Sequence, residues 1–281
     1  MRVLVTGAGG MLGRAVVREL ERRGHDVEAR ERAALDVTDA AAVEAAVTAF
    51  APDAVVQCAA YTRVDDAEAE EARAFAVNAD GTRYVARACR AVGARLAYIS
   101  TDYVFDGEAS RPYRPDSPAA PLNAYGRSKL AGEAAAKEAG DWIIVRTSWL
   151  YGAGGRNFVS TILERARRGE PLRIVDDQRG TPTWTGSLAG VLVAMLERRV
   201  PGGIYHATGR GDTTWFGLAC EALRAAGLDA EVTAVPSDAF PTAARRPRYS
   251  VLDCSTTEAL VGPLPDWRTA LAAALAEGGM I

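Results

Sequence analysis

The chain opens on a short apolar strand that runs straight into glycines, and no other stretch of its 281 residues limits the fold as much. Arg2-Val3-Leu4-Val5-Thr6 leads into Gly7-Ala8-Gly9-Gly10-Met11-Leu12-Gly13, and helical periodicity begins at Met11. Gly7, Gly10 and Gly13 give the spacing G-x-x-G-x-x-G. A strand-to-helix turn can be glycine-rich for steric reasons alone, so the motif by itself says little. Its position between the first strand and the first helix is what carries weight. Glycines there allow a tight turn and let backbone approach a pyrophosphate, and the helix start presents free N–H groups to the anion. The expectation is a dinucleotide-binding turn.

The same alternation of strand and helix recurs through the first half of the chain. Arg2–Thr6, Asp26–Ala29, Ala54–Gln57, Arg95–Ser100 and Trp142–Thr147 are short runs rich in Val, Ile, Leu or Ala, as a parallel sheet buried on both faces requires. Between them, Met11 to Arg23 buries Leu12, Val16 and Leu20 at helical spacing and stops at Gly24. Asp39 is a good N-cap for a helix running to Ala49 ahead of Pro52, and Glu70–Cys89 and Tyr125–Ala139 read as further crossover helices. The pattern predicts an α/β fold: a Rossmann-type, doubly wound parallel sheet with right-handed crossovers. After Thr147 glycine clusters and a proline series break the chain into shorter elements, and Ala270 to Glu277 reads as a closing helix. Residues 1–150 are expected to form the dinucleotide-binding domain. Residues 151–281 are expected to form mainly a smaller substrate-binding lobe, with some segments returning to the first domain.

Composition serves mainly to exclude. A net charge of −3 gives no reason to expect nucleic acid or acidic membranes as partners, and no apolar run is long enough to span a bilayer. Cys58, Cys89, Cys220 and Cys254 have no C-x-x-C spacing, and His25 and His206 lack a partner spacing, so neither a disulfide framework nor a metal site is expected. The expectation is a cytoplasmic protein with free thiols.

The chemistry gathers around Tyr125 and Lys129, four residues apart and hence on one helix face. Such a pair is common on solvated helices. Here it follows a strand ending in Ser100-Thr101-Asp102-Tyr103, at the carboxyl edge where open α/β sheets bind ligands. Reducing a carbonyl takes a hydride at carbon and a proton at the developing alkoxide. A phenol is a poor acid at its ordinary pKa of ~10, so a nearby ammonium must favour the phenolate. Lys129 can supply that charge and hold a nicotinamide ribose, and Thr101 can donate to the same substrate oxygen. These features together resemble the extended short-chain dehydrogenase/reductase family.

The resemblance narrows over five segments. They are Ala59-Ala60-Tyr61-Thr62-Arg63-Val64-Asp65, Ser100 to Gly107, Arg146-Thr147-Ser148-Trp149-Leu150-Tyr151-Gly152, Asp177-Gln178-Arg179-Gly180-Thr181-Pro182-Thr183 and Arg245 to Asp253. With the closing Leu264-Pro265-Asp266-Trp267 they are similar to the dTDP-4-dehydrorhamnose reductase family along essentially the whole chain. The resemblance implies a reductase of the 4-keto group of a dTDP-4-keto-6-deoxysugar, with Thr101, Tyr125 and Lys129 as its catalytic set. It further implies that Gly10, Met11 and Leu12 cradle pyrophosphate, that Asp36 and Val37 face adenine, and that Ala59, Ala60 and Tyr61 pass beneath the cofactor. Val64, Asp102 and Trp149 would line the sugar, and Arg245 and Arg246 suit a diphosphate. Trp149 could instead simply be core, Asp36 could cap the turn to Asp39, and the arginines could be a solvated loop. Some members place a metal-binding glutamate at a dimer contact where this chain has Ala15, so a homodimer stays open but a metal-bridged one is not expected. Sibling epimerases and dehydratases remain the first alternative, although dehydratases typically follow this threonine with Asp-Glu, and here Asp102-Tyr103 follows Thr101. A non-catalytic subunit like that of methionine adenosyltransferase is the second.

Cofactor choice rests on the end of the second strand. An NAD-preferring site places an acidic residue there, whereas here Arg30 and Arg32 stand just past Ala29 and would pair with a 2′-phosphate. NADPH is expected, with NADH left open because Glu31 lies between the arginines.

Overall fold

A computed structural model describes residues 1–277. The first half runs β1 (Arg2–Thr6), α1 (Met11–Arg22), β2 (Asp26–Arg30), α2 (Ala40–Phe50), β3 (Ala54–Gln57), α3 (Asp66–Ala69), α4 (Glu71–Phe75), α5 (Gly81–Val92), β4 (Arg95–Thr101), α6 (Ala124–Ala136) and β5 (Trp142–Thr147). The second half adds β6 (Leu150–Tyr151), α7 (Phe158–Arg167), β7 (Leu172–Val175), β8 (Arg179–Gly180), β9 (Thr183–Trp184), α8 (Thr185–Glu197) and β10 (Gly203–His206). It closes with β11 (Thr213–Thr214), α9 (Trp215–Ala225), β12 (Val232–Val235), α10 (Ser255–Val261) and α11 (Trp267–Ala276).

Six strands form one sheet in the order β10-β5-β4-β3-β1-β2, every neighbouring pair parallel. The chain goes out from β1 to β2 and returns to β3 on the other side of β1. The order therefore reverses at β1, and a crevice opens at the carboxyl ends of β1 and β3. Alternation along the strands feeds two apolar layers. Val3 and Val5 meet Leu12, Val16 and Leu20 of α1 and Leu188 and Leu192 of α8. Leu4, between them, meets Val43 and Val47 of α2 and Val85 and Cys89 of α5. This is the doubly wound arrangement that the apolar runs imply.

Several boundaries depart from the expectations. The single helix expected over 70–89 is α4, a π-helical turn at Ala76–Asp80, and α5 reaching Val92. The widened turn lets Asn78 point inward: its Oδ1 accepts from Tyr61 N at 2.9 Å, and its Nδ2 donates to Tyr61 O at 3.0 Å and to Ser128 Oγ at 2.9 Å. Asp39 does cap α2, accepting from Ala42 N at 3.0 Å, but the helix runs on to Phe50 and ends on Ala51 at φ 47°. The closing helix starts at Trp267, three residues before the expected Ala270, because Asp266 caps it.

The sixth strand, β10, comes from the later half, and α8 packs against α1. α10 also packs on α8 and β10, while most of the remaining later elements enclose a separate core of Leu163, Leu172, Leu218, Leu223, Trp267 and Leu271. No helix among the described residues is long and apolar enough to cross a membrane.

Candidate active site

A cleft of about 750 Å³ opens along the carboxyl edge of the sheet, from the glycine turn past the ends of β3 and β4 to the loop after β5. The glycines are needed where they stand. Gly7 sits at φ 64°, and a Cβ there would lie 2.5 Å from Ala59 N; a Cβ on Gly13 would lie 2.7 Å from Ala8 Cα. The segment after β3 thus presses directly on the turn. At the start of α1, Gly10 provides no side-chain cap, and the first turn holds no acidic residue. The N–H groups of Met11, Leu12 and Gly13 are left to an anion, which is the chemistry a dinucleotide pyrophosphate offers. The residues present fit such a cofactor.

At the other end of the turn, Asp36, Val37 and Arg32 line the cleft. Asp36 accepts from Thr38 N at 3.0 Å and Thr38 Oγ1 at 2.8 Å, and these bonds, helped by Arg32, hold its carboxyl below the usual range. It therefore shapes its own turn and borders the cleft at once. Arg32 is largely exposed, with Nε 3.7 Å from Asp36. Arg30 departs from the expectation that it flanks a 2′-phosphate. β2 continues through Arg30, paired with Thr6, so its side chain shares a strand face with Glu28 and is bound to that carboxylate, outside the cleft lining. Ala59, Ala60, Tyr61 and Val64 all line the cleft, with Tyr61 held by Asn78.

Thr101, Asp102, Tyr125 and Lys129 converge on the same cleft. Asn123 caps α6 through Gly126 N at 2.8 Å and so fixes the turn that carries Tyr125. Burial pushes the Tyr125 phenol up, a bond with Thr101 pulls it down, and the nearby Asp102 carboxylate adds to the rise. Lys129 is 2% exposed, its Nζ 4.1 Å from the Tyr98 ring centroid. Burial pushes it down to about 7 against the opposing pull of Glu133 and Cys58. Asp102 Oδ1 accepts from Thr101 Oγ1 at 3.0 Å, while Oδ2 is buried without a partner among the described residues. Burial raises this carboxyl to about 6, with Ser250 and Thr101 opposing. Its open oxygen suits a ligand hydroxyl.

Beneath Lys129 lies an ion pair that motif reading overlooks. Glu133, one turn beyond, accepts from Arg146 Nε and Nη2, each at 2.8 Å, and from Ser100 Oγ at 2.6 Å, with both charged residues buried. An arginine in an otherwise apolar strand buried on both faces was the available signal, since a buried cation needs a partner. Asn78 carried no comparable signal, because nothing in an alanine-rich helix announces a π-turn.

The loop after β5 brings Trp149 to the cleft with its indole flat on Trp215, so the residue is both a wall and part of the second core. Arg245 and Arg246 lie elsewhere, in a second cleft of about 730 Å³ that meets the first at Trp215. Arg246 is engaged by Asp65, at 2.5 Å to each carboxylate oxygen, whereas Arg245 is exposed and 3.8 Å from Glu108. His25 binds Glu197 at 3.0 Å, and no group of three or more metal-ligating side chains occurs among the described residues.

The family model described as RmlD substrate binding domain matches residues 1–280. The chain is 51% identical over 278 residues to a dTDP-4-dehydrorhamnose reductase of Streptomyces griseus, covering 96% of this chain and 91% of the relative. It is 47% identical over 275 residues to a probable dTDP-4,6-dihydroxy-2-methyloxan-3-one 4-ketoreductase of Streptomyces antibioticus, covering 96% and 93%. Among solved structures, the dTDP-4-dehydrorhamnose reductase of Bacillus anthracis in complex with NADP superimposes with a TM-score of 0.95 at 38% identity, covering 98% of this chain and 99% of that one.

Proposed function

The chain belongs to the dTDP-4-dehydrorhamnose reductase family, and from that membership we propose that it reduces the 4-keto group of a dTDP-4-keto-6-deoxysugar with NADPH. The observation that supports this reading most is the meeting, in one cleft, of Thr101, Tyr125 and Lys129 with an uncapped glycine-turn helix. Gly7, Gly10, Met11, Leu12 and Gly13 hold the pyrophosphate, Asp36 and Val37 border adenine, and Ala59 to Tyr61 support the cofactor from below. Of the two arginines expected at the 2′-phosphate, Arg32 takes that part, since Arg30 is spent on Glu28. Bound NADPH supplies the hydride for the carbonyl carbon.

The remaining steps belong to the chain's own groups. Thr101 and Tyr125 hold the carbonyl oxygen, and Tyr125 passes its proton to that oxygen as negative charge develops. The Lys129 ammonium lowers the phenol's proton affinity and grips the ribose. Asp102, Val64 and Trp149 border the sugar, and the nucleoside diphosphate extends into the second cleft, where Arg245, unlike Arg246, is open to it. Residues 1–150 supply the cofactor site, with later segments contributing α8 and β10 to its frame. A homodimer is compatible with this site, and Ala15 offers no side-chain donor for a bridging metal. We place the reaction in the cytoplasm, where the free thiols stay reduced.

The test is incubation of the purified protein with NADPH and dTDP-4-keto-6-deoxysugars, followed by identification of the product sugar. Stoichiometric NADPH oxidation with a new 4-hydroxyl is expected. A product epimerised without net cofactor oxidation would make the protein an epimerase, and no conversion would remove the proposal.

A further inference from the structure

Trp215 belongs to no motif that led to the catalytic cleft, yet it is the residue where the two clefts meet. Its indole lies flat on Trp149, with ring centroids 3.6 Å apart and planes 7° from parallel. Phe158 packs on Trp215 at 4.7 Å and 54°. Trp215 Nε1 donates to Gln178 Oε1 at 3.2 Å, and Gln178 Nε2 donates to Ser237 Oγ at 2.8 Å. The ring is therefore fixed on a face and at its polar edge.

Trp149 has more to be held against. Its backbone sits at φ 47°, a region unfavourable to a bulky side chain. Gly180 leaves room for it, since a Cβ there would come within 2.6 Å of Trp149 Cε2. The indole is confined between Gly180 and Trp215 while bordering the cleft that contains Thr101 and Tyr125. A rigid aromatic wall of this kind suits packing against the C–H groups of a hexose, while the Trp215 N–H is already committed to Gln178.

We propose that Trp215 is a positioning residue for the sugar nucleotide, holding Trp149 in its left-handed pose and forming the wall along which the substrate passes from the arginine cleft to Tyr125. This rests on the proposed reductase activity. It assigns the junction to substrate selection and leaves cofactor binding to the glycine turn and the loop after β2. Substrates with a different hexose but the same nucleotide should feel the loss of the wall to different degrees.

The experiment compares wild type, Trp215→Leu, Trp215→Phe and Trp149→Ala. It reads KM for the dTDP-4-keto-6-deoxysugar, KM for NADPH, and the far-ultraviolet circular-dichroism couplet that two stacked indoles produce. Trp215→Leu should lose the couplet and raise the sugar-nucleotide KM about tenfold or more, with the NADPH KM within about twofold. Trp215→Phe should also lose the couplet but recover most of the KM, because a flat ring again supports Trp149. A normal sugar-nucleotide KM in Trp215→Leu overturns the inference, as does an equal rise in both KM values, which a general loosening of the lobe would give. These results are separable from failure of the reductase reading, in which wild type itself would not turn over and the inference would fall with it.

Discussion

Burial opposes the charged forms of both Tyr125 and Lys129. It raises the phenol and lowers the ammonium to about 7. An anionic cofactor and its ribose hydroxyls favour the ammonium, so binding NADPH at about pH 8 should take up a fraction of a proton per site. Calorimetry in buffers of different ionisation enthalpy reads that uptake directly, and Lys129→Met should abolish it while weakening NADPH binding. Binding with equal proton balance in the two proteins would show that Lys129 does not change charge. Tyr125→Phe keeps the ring against Tyr103 and removes the proton, so kcat should fall roughly 10²–10⁴-fold with the melting temperature unchanged. At the cofactor's other end, Arg32→Ala should shrink the ratio of kcat/KM for NADPH over NADH, most steeply at low salt, while Arg30→Ala should leave it nearly intact. The reverse order would restore Arg30 to the 2′-phosphate. Arg30 and Arg32 could not be told apart by counting residues from the glycines. Only the length of β2 decides that Arg30 faces Glu28.

At the scale of elements, the strand–turn–helix at the N-terminus was legible because its glycines answer a local steric demand. The shape of the opposite wall was not. Gly7 and Gly13 are packed by Ala59, Ala8 and their own turn, so Gly13→Ala should drive α1 away from β1 and abolish NADPH binding. Retained affinity would mean the turn can open without penalty. The Glu133–Arg146 pair joins α6 to β5 directly beneath Lys129. Glu133→Ala leaves a buried guanidinium without its carboxylate, and denaturant unfolding should register a loss of about 3–5 kcal/mol. A loss below about 1 kcal/mol would place the pair in effective contact with water. Of this layer, the helix and strand were readable from their apolar spacing, whereas the π-turn that aims Asn78 at Tyr61 was not, because it is a local widening imposed by tertiary hydrogen bonds.

Across the whole molecule the later half both completes the first sheet and builds its own core. The seam includes His206, the last residue of β10, which is fully buried and edge-on to Phe105. Burial, with Arg146 nearby, depresses it from 6.5 to about 3, and neither ring nitrogen has a hydrogen-bond partner among the described residues. Above pH 6.5 the folded and unfolded chains both carry a neutral imidazole. As pH falls below that value, the unfolded chain binds a proton that the folded one refuses, so stability declines by up to about 1.4 kcal/mol per pH unit. His206→Phe should flatten melting temperature against pH between about 6.5 and 4.5, above the range of most carboxylates. An unchanged slope would assign the acid sensitivity to other groups.

The sequence alone determined the parallel sheet, the turn that opens it and the approach of Tyr125 and Lys129 to the sheet's carboxyl edge, because each depends on short-range pattern: unbroken apolar runs in strands, a spacing of four along a helix, and glycine where backbone must pass backbone. Tertiary structure decided which charges are free to meet a ligand. Arg30 is taken by Glu28 and Arg246 by Asp65, Arg245 and Arg32 are left largely exposed, and Trp215 is carried from the later half of the chain to the cleft. Pairing of that kind is set by which side chains packing brings within a few ångströms of each other, and neighbours in space need not be neighbours along the chain.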